Sequence, residues 1–127
     1  TPEDIADVLN IFRCFGAAEV IAEPMIHPVV GVSGSAPAYV FMFIEAMADA
    51  AVLGGMARAQ AYKFAAQAVM GSAKMVLETG KHPGELKDMV CSPAGTTIEG
   101  VRTLEKSSFR SAVFEALTAA AEKGKKL

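Results

Sequence analysis

The residues of this chain best suited to chemistry lie together in residues 92–97, which read SPAGTT. Ser92, Thr96 and Thr97 carry hydroxyl groups that surround Gly95, just before a predicted helix. Free backbone N–H groups and the positive end of the helix dipole favour an anion at such a position. Because no lysine or arginine lies within the segment, the hydroxyls suit a single carboxylate better than a polyphosphate. The segment therefore predicts a small anion-binding site.

A structural explanation of the same segment is equally open on spacing alone. Serine and threonine are common helix caps, so Ser92 or Thr96 could simply cap the helix that follows. Gly95 has no Cβ, which would let a ligand approach the backbone closely. The two interpretations differ in whether the first N–H groups of the helix are occupied by a side chain or left open.

Other familiar sites of chemistry are absent from the sequence. Neither G-x-G-x-x-G nor G-x-x-x-x-G-K-[ST] occurs, so we expect no dinucleotide or nucleotide triphosphate site in this chain. Residues 31–35 resemble a serine hydrolase's nucleophile elbow only faintly and follow no clear strand. His27 and His82 each precede a proline, and we favour His82 as a helix cap over catalysis or metal binding. Cys14 and Cys91 lack zinc-site spacing, so we expect reduced thiols and no metal.

Composition limits the partners of this chain. Its 127 residues are 52% hydrophobic and 20% charged, which indicates one folded domain, or a domain and a fragment. A net charge of −2 makes nucleic acid a poor partner. Prolines and glycines interrupt the uncharged stretch 24–44, so we expect no membrane span. Without a secretory leader we expect a cytoplasmic protein, and a first residue other than Met suggests processing or a fragment.

Apolar periodicity predicts a mainly α chain with one strand. Thr1 caps a first helix that ends at Gly16. Residues 18–23 are β-branched in part and predict a strand whose partner strands we expect outside this chain. A helix capped by Ser35 runs to residues 54–55. Further helices are predicted over residues 57–79, 85–90, 97–106 and 109–122.

The helix predicted over residues 57–79 is apolar on nearly all sides. Such a helix must be covered on nearly all sides, which a chain of this size with few helices can hardly provide. We therefore expect an oligomer in which this helix is enclosed. The small residues Ala66, Gly71 and Ala73 would permit another helix to approach closely.

Residues 34–39 read GSAPAY and residues 82–88 read HPGELKD. A longer pattern at fixed spacing consists of Pro83, Leu86, Val90, Cys91, Ser92, Ala94, Gly95, Thr97, Gly100, Val101, Leu104 and Glu105. This longer pattern resembles the signature of pyrroline-5-carboxylate reductases. Residues 34–39 are similar to that family's GSGPAY, and residues 82–88 resemble the stretch that the family carries before its signature. The chain departs from the family pattern at Ala36 and Ala94, where glycine is usual.

The resemblance implies the C-terminal part of an enzyme that reduces 1-pyrroline-5-carboxylate to L-proline with NADPH or NADH. Residues 1–25 would be the last helix and strand of a Rossmann domain, which would hold the cofactor and otherwise lie outside this chain. Residues 26–127 would form a helical dimerisation and substrate-binding domain. The family's subunits interlock as homodimers, which often assemble into decamers. This chain alone would be inactive.

The resemblance also implies roles for individual residues. Ser92 and the backbone N–H groups of Gly95 and Thr96 would hold the carboxylate of the cyclic imine. Thr97 would lie near the ring nitrogen and help to orient the substrate or relay a proton. Two alternatives are a catalytically silent helical oligomerisation module and a related imine or 3-hydroxy acid reductase. A hydroxy acid enzyme would need a catalytic lysine, but Lys63 and Lys74 lack the surrounding motif.

Overall fold

The computed structural model describes residues 1–126, which form a chain of helices. Within these residues there is no strand, so the mainly α prediction is confirmed. A 3₁₀ turn over Glu23–Met25 and a π-helical segment over Val30–Ser35 occur beside the α-helices. The α-helices are α1 (Pro2–Arg13), α2 (Ile26–Val29), α3 (Ala36–Leu53), α4 (Arg58–Thr79), α5 (Pro83–Val90), α6 (Thr96–Lys106) and α7 (Phe109–Gly124).

Helix α1 begins at the cap that the sequence predicts. The Thr1 hydroxyl accepts a hydrogen bond from the Asp4 backbone N–H, and the Asp4 carboxylate accepts from the Thr1 ammonium at 2.8 Å. Hydrogen bonds from that ammonium and from the Thr1 hydroxyl lower the pKa of Asp4. Helix α1 ends at Arg13, before the Gly16 end that we predicted. Its apolar side chains remain exposed, with Phe12 at 49% and Phe15 at 74%.

The prediction of a strand over residues 18–23 is wrong for this chain. Residues 17–22 have no regular secondary structure, and Glu23 already begins the 3₁₀ turn. A strand is defined by hydrogen bonds to a neighbouring strand. Since residues 1–126 supply none, the β-branched segment remains unpaired, with Val20 63% exposed.

A helical stretch runs without a break from Glu23 to Leu53, so helical backbone begins well before the predicted start at Ser35. Ser35 itself has helical dihedral angles, and its side chain makes no capping hydrogen bond. The cap prediction is therefore wrong. Pro37 has no N–H to donate to the preceding turn. The wider π-helical segment ends at Ser35, two residues before this proline.

Gly31 in the π-helical segment lies directly against α7. A Cβ at this position would stand 3.1 Å from the Leu117 carbonyl oxygen and 3.7 Å from the Ala121 Cβ. Helix α2 also packs on α7, and Phe43 of α3 contacts Phe109 with ring centroids 5.9 Å apart. Helices α2, α3 and α7 thus meet around a backbone approach that only glycine permits without a shift.

Helices α3 and α4 form an antiparallel hairpin with an alanine-rich contact. Ala48 is 0% exposed, Ala61 1% and Ala65 5%. Small side chains let the two helix backbones lie close together. Asp49 and Arg58 form an ion pair at the end of the hairpin where the loop joins the two helices. Helix α4 ends at Gly80, whose left-handed φ of 64° matches the predicted stop.

The stretch Glu23–Leu53 is long and apolar enough to cross a membrane by length and composition, with a mean hydropathy of 1.5. Only 6% of its most apolar window is buried inside the chain. Among the described residues, the exposed apolar surface of this stretch therefore needs a cover that the chain itself does not provide.

Candidate carboxylate-binding site

Helix α5 ends just before the SPAGTT segment. Its first residue is capped as the sequence predicts. The His82 Nδ1 atom accepts a hydrogen bond from the Gly84 N–H at 3.0 Å, and Pro83 occupies the first turn. His82 is therefore a helix cap, which accounts for its position without a metal or a catalytic role. Cys91 ends the helix with φ −90° and ψ 86°, and the chain turns away into residues 92–95.

Residues 92–95 form a tight turn. The Gly95 N–H donates to the Ser92 carbonyl oxygen at 3.1 Å. Ala94 has a φ of +56°, the left-handed region that disfavours residues with a Cβ by roughly 1–2 kcal/mol. Ala94 therefore adopts a backbone conformation that favours glycine.

The Ser92 hydroxyl occupies the space that a Cβ on Gly95 would fill. A Cβ on Gly95 would lie 2.2 Å from the Ser92 Oγ and 3.2 Å from the Ser92 carbonyl oxygen. Real atoms do not approach so closely, so any side chain at this position would push the Ser92 hydroxyl away. Gly95 and Ser92 thus form one interlocked unit at the start of α6.

The first turn of α6 carries no side-chain cap. Its N-cap residue is Gly95, and helical backbone begins at Thr96, one residue before the predicted start. Neither the Ser92 nor the Thr96 hydroxyl oxygen accepts a hydrogen bond from a backbone N–H at the helix start, so the interpretation of these residues as caps is wrong. The first N–H groups of a helix have no partner within the helix. Those of Thr96 and Thr97 therefore remain open to a ligand.

Ser92, Thr96 and Thr97 are all exposed, and Gly95 is half-buried. The structure brings the four predicted residues together around one helix start, with the hydroxyl groups reachable from solvent. Within residues 1–126 no group of three or more His, Cys, Asp or Glu side chains could hold a metal ion. The site is thus a cluster of neutral hydrogen-bond donors.

Charged residues near the site are paired with carboxylates. Arg102 donates to Glu99 in the first turn of α6, with its Nε at 2.9 Å from Oε2, and this hydrogen bond lowers the pKa of Glu99. Lys87, one turn before Cys91, donates to Asp88, and this bond raises the pKa of Lys87.

The GVSGS segment does not provide a nucleophile. It lies in the π-helical turn, and the Ser33 hydroxyl donates to the Val29 carbonyl oxygen at 2.8 Å. A nucleophile elbow needs a strand followed by a sharp turn and a helix. The serine hydrolase interpretation therefore has no structural support among the described residues.

These features define a class of protein: a helical oligomerisation domain whose own helices leave a large apolar surface uncovered and whose α6 start offers donors to a small anion. A sequence model described as pyrroline-5-carboxylate reductase dimerisation matches residues 23–127. The chain belongs to this family.

Individual relatives support the same assignment. The chain is 84% identical to the pyrroline-5-carboxylate reductase of Escherichia coli K12 over all of its 127 residues, which cover 47% of that protein. A Coxiella burnetii pyrroline-5-carboxylate reductase structure matches 99% of this chain and 47% of its own, with 34% identity and a TM-score of 0.93.

A Plasmodium falciparum pyrroline carboxylate reductase structure with NADP bound covers 99% of this chain and 51% of its own, at 36% identity and a TM-score of 0.89. The chain thus spans about half the length of the relatives that it matches.

Proposed function

We propose that this chain is the dimerisation and substrate-binding half of a pyrroline-5-carboxylate reductase, which reduces 1-pyrroline-5-carboxylate to L-proline. The observation that carries this proposal is the uncapped start of α6 beside Ser92 and Gly95 in a chain of this family. A negatively charged substrate group fits such a site because the open N–H groups and the helix dipole both favour an anion.

Ser92 and the backbone N–H groups of Gly95 and Thr96 would hold the substrate carboxylate. The Gly95 N–H already donates to the Ser92 carbonyl oxygen, so it would have to share its hydrogen or be released from the turn. The Ser92 hydroxyl and the Thr96 N–H carry no such bond within residues 1–126. We therefore assign these two groups the larger share of carboxylate binding.

Thr97 would contact the imine ring from the same helix start. A reduced nicotinamide supplies the hydride, which is added to the carbon of the C=N bond while the ring nitrogen receives a proton. The Thr97 hydroxyl would orient the ring nitrogen and relay that proton. A neutral alcohol is a weak acid, so orientation and relay are favoured over direct general acid catalysis.

The cofactor, NADPH or NADH, would bind mainly to a Rossmann domain outside residues 1–127. This chain has no dinucleotide motif, and its neutral hydroxyl cluster fits a carboxylate better than a pyrophosphate. Residues 1–25 would be the end of that domain. In support, α1 makes no substantial contact with the other helices, and residues 17–22 have no regular secondary structure and no partner strand within residues 1–126.

A second copy of the chain would cover the helical domain in a homodimer. The chain exposes 9932 Å². A compact monomer of 13.3 kDa exposes only about 6,500 Å². Obligate dimers commonly bury roughly 1,000–2,500 Å² on each partner. The difference of about 3,400 Å² is ample for such an interface, with part left for the Rossmann domain and for assembly into decamers.

We expect light scattering of the full-length protein to give the mass of a dimer or a multiple of it at micromolar concentration. The apolar surface of the stretch Glu23–Leu53 would then be covered by protein, as expected for a cytoplasmic protein. A monomeric mass, or a protein that stays in the membrane fraction of lysed cells, would contradict this assignment and favour a lipid cover for the stretch Glu23–Leu53.

The activity itself is tested by following oxidation of NADPH and NADH by the full-length protein with 1-pyrroline-5-carboxylate. We expect turnover with at least one cofactor and none from residues 1–127 alone. Turnover of a 3-hydroxy acid instead would favour the related dehydrogenase class. If the full-length protein is a dimer but turns over neither substrate, the alternative of a catalytically silent oligomerisation module would be favoured.

A further inference from the structure

In residues 1–126, two residues that carry a Cβ have a left-handed backbone. Ala94 has a φ of +56° and Ser108 a φ of +59°. Ser108 lies in the turn between α6 and α7, whereas Ala94 lies in the turn directly before α6. Of these two turns, the Ala94 turn adjoins the groups proposed to bind the substrate carboxylate. Strain at Ala94 can therefore act on ligand binding, whereas strain at Ser108 acts on stability.

The Ala94 turn follows the pattern of a type II β-turn. Pro93 occupies its second position, Ala94 its third, and the Gly95 N–H donates to the Ser92 carbonyl oxygen at 3.1 Å. The third position of a type II turn favours glycine. A type I turn has the same closing hydrogen bond, accepts proline at its second position and has a φ of about −90° at its third, which suits alanine. These four residues therefore have a relaxed alternative that keeps the closing hydrogen bond.

The surroundings of the turn do not hold Ala94 in its strained form. Ser92, Pro93 and Ala94 are all exposed. Among the described residues, α5 makes no substantial contact with another helix, and α6 packs mainly on α7. A strained backbone persists without a ligand only where the surrounding structure enforces it. The turn of the free protein is therefore divided between a strained and a relaxed form.

The strained form of the turn is the one that suits a carboxylate. It places the Ser92 Oγ at 2.2 Å from the position of a Cβ on Gly95, and the Thr96 N–H beside it has no side-chain cap. Rotation of the Pro93–Ala94 peptide unit into the relaxed form changes the backbone angles between these two donors. A carboxylate that needs both donors would bind the strained form in preference and shift the population toward it.

We infer that Ala94 sets the affinity of the α6 start for carboxylates, because its Cβ favours the relaxed turn over the turn that binds them. The inference rests on the function proposed above and adds a positioning residue to that site. A ligand that selects one form binds more weakly in proportion to the population of that form. The penalty for a Cβ in the left-handed region corresponds to about 5- to 30-fold in population. Ala94 therefore weakens the binding of substrate and product alike.

Steady-state kinetics of Ala94→Gly in the full-length protein tests the inference. We expect the KM for 1-pyrroline-5-carboxylate to fall about fivefold without a rise in kcat, because the carboxylate is bound equally in the ground and transition states. The inhibition constant of L-proline, whose carboxylate would take the same donors, should fall by the same factor. Ala94→Val should raise both constants, since a β-branched residue is least compatible with a positive φ.

Ser108→Gly is the matched control. It removes the same kind of backbone strain from an exposed turn of this chain, at the other end of α6 from the proposed carboxylate donors. We expect it to leave both the KM and the L-proline inhibition constant within about twofold of the parent values, whatever it does to the thermal midpoint. The comparison separates an effect on carboxylate binding from a general gain in stability.

Failure of this inference can be separated from failure of the proposed function. In an active parent protein, an Ala94→Gly variant with unchanged KM and L-proline inhibition constant would show that the strained turn is fixed without a ligand, which overturns the inference and leaves the function intact. An equal fall in KM in Ser108→Gly would overturn it as well. A full-length parent that does not turn over 1-pyrroline-5-carboxylate with either cofactor would overturn both the inference and the proposed function.

Discussion

Replacing Gly95 with alanine in the full-length protein should lower kcat/KM for 1-pyrroline-5-carboxylate about 10- to 100-fold. The new Cβ would lie 2.2 Å from the Ser92 Oγ, so the serine hydroxyl must leave its position at the start of α6. A hydrogen bond to a charged group contributes roughly 1.5–3 kcal/mol, which corresponds to this loss. Steady-state kinetics should show most of the change in KM, because the carboxylate is bound equally in ground and transition states.

The comparison with Ser92→Ala separates this mechanism from a general loss of structure. If Gly95→Ala acts by displacing the Ser92 hydroxyl, the two single variants and the double variant should have similar kcat/KM values. Thermal midpoints should stay near that of the parent protein, since the segment is exposed. Additive losses in the double variant would show that Gly95 matters for another reason.

The helical part of the fold could be predicted because its signals are local. Thr1 and Asp4 form the capping box that their spacing indicates, His82 caps α5, and Gly80 ends α4 with a left-handed φ. Each of these features depends on hydrogen bonds between residues a few positions apart. Sequence patterns therefore determined where α1 begins and where α4 ends, and they identified the His82 cap, although α5 begins at Pro83 and not at the predicted residue 85.

The errors fall where the outcome depends on distant residues. A strand over residues 18–23 needs a partner that residues 1–126 do not contain, so propensity alone gave the wrong state. The helical backbone before Ser35 contains two glycines and two prolines, which normally indicate a loop. Its packing on α7, with Gly31 against the Leu117 carbonyl, overrides that local preference.

The candidate site was predictable in composition but not in geometry. The sequence placed Ser92, Gly95, Thr96 and Thr97 at one helix start. It left open whether a hydroxyl caps the helix, and it could not reveal that the Ser92 side chain occupies the space of a Gly95 Cβ. That contact depends on the left-handed backbone of Ala94, which a residue with a Cβ seldom adopts.

Thr97→Ala in the full-length protein should lower kcat for 1-pyrroline-5-carboxylate at least about tenfold, the effect typical of a positioned proton-transfer group. Thr97 lies in the first turn of α6, next to the donors proposed for the carboxylate. A hydroxyl that orients the ring nitrogen contributes only when the proton is transferred, so kcat should fall more than KM changes. Stopped-flow measurement of cofactor oxidation isolates this step from product release.

Two further substitutions distinguish the hydroxyl from the shape of the side chain. Thr97→Ser retains the oxygen and should recover most of the activity, whereas Thr97→Val keeps the shape, removes the oxygen and should behave like Thr97→Ala. Because the side chain is exposed and forms no cap, neither change should alter the free energy of unfolding by more than about 0.5 kcal/mol. Parent-like kinetics in Thr97→Val would remove Thr97 from the mechanism and leave carboxylate binding as the whole contribution of this helix start.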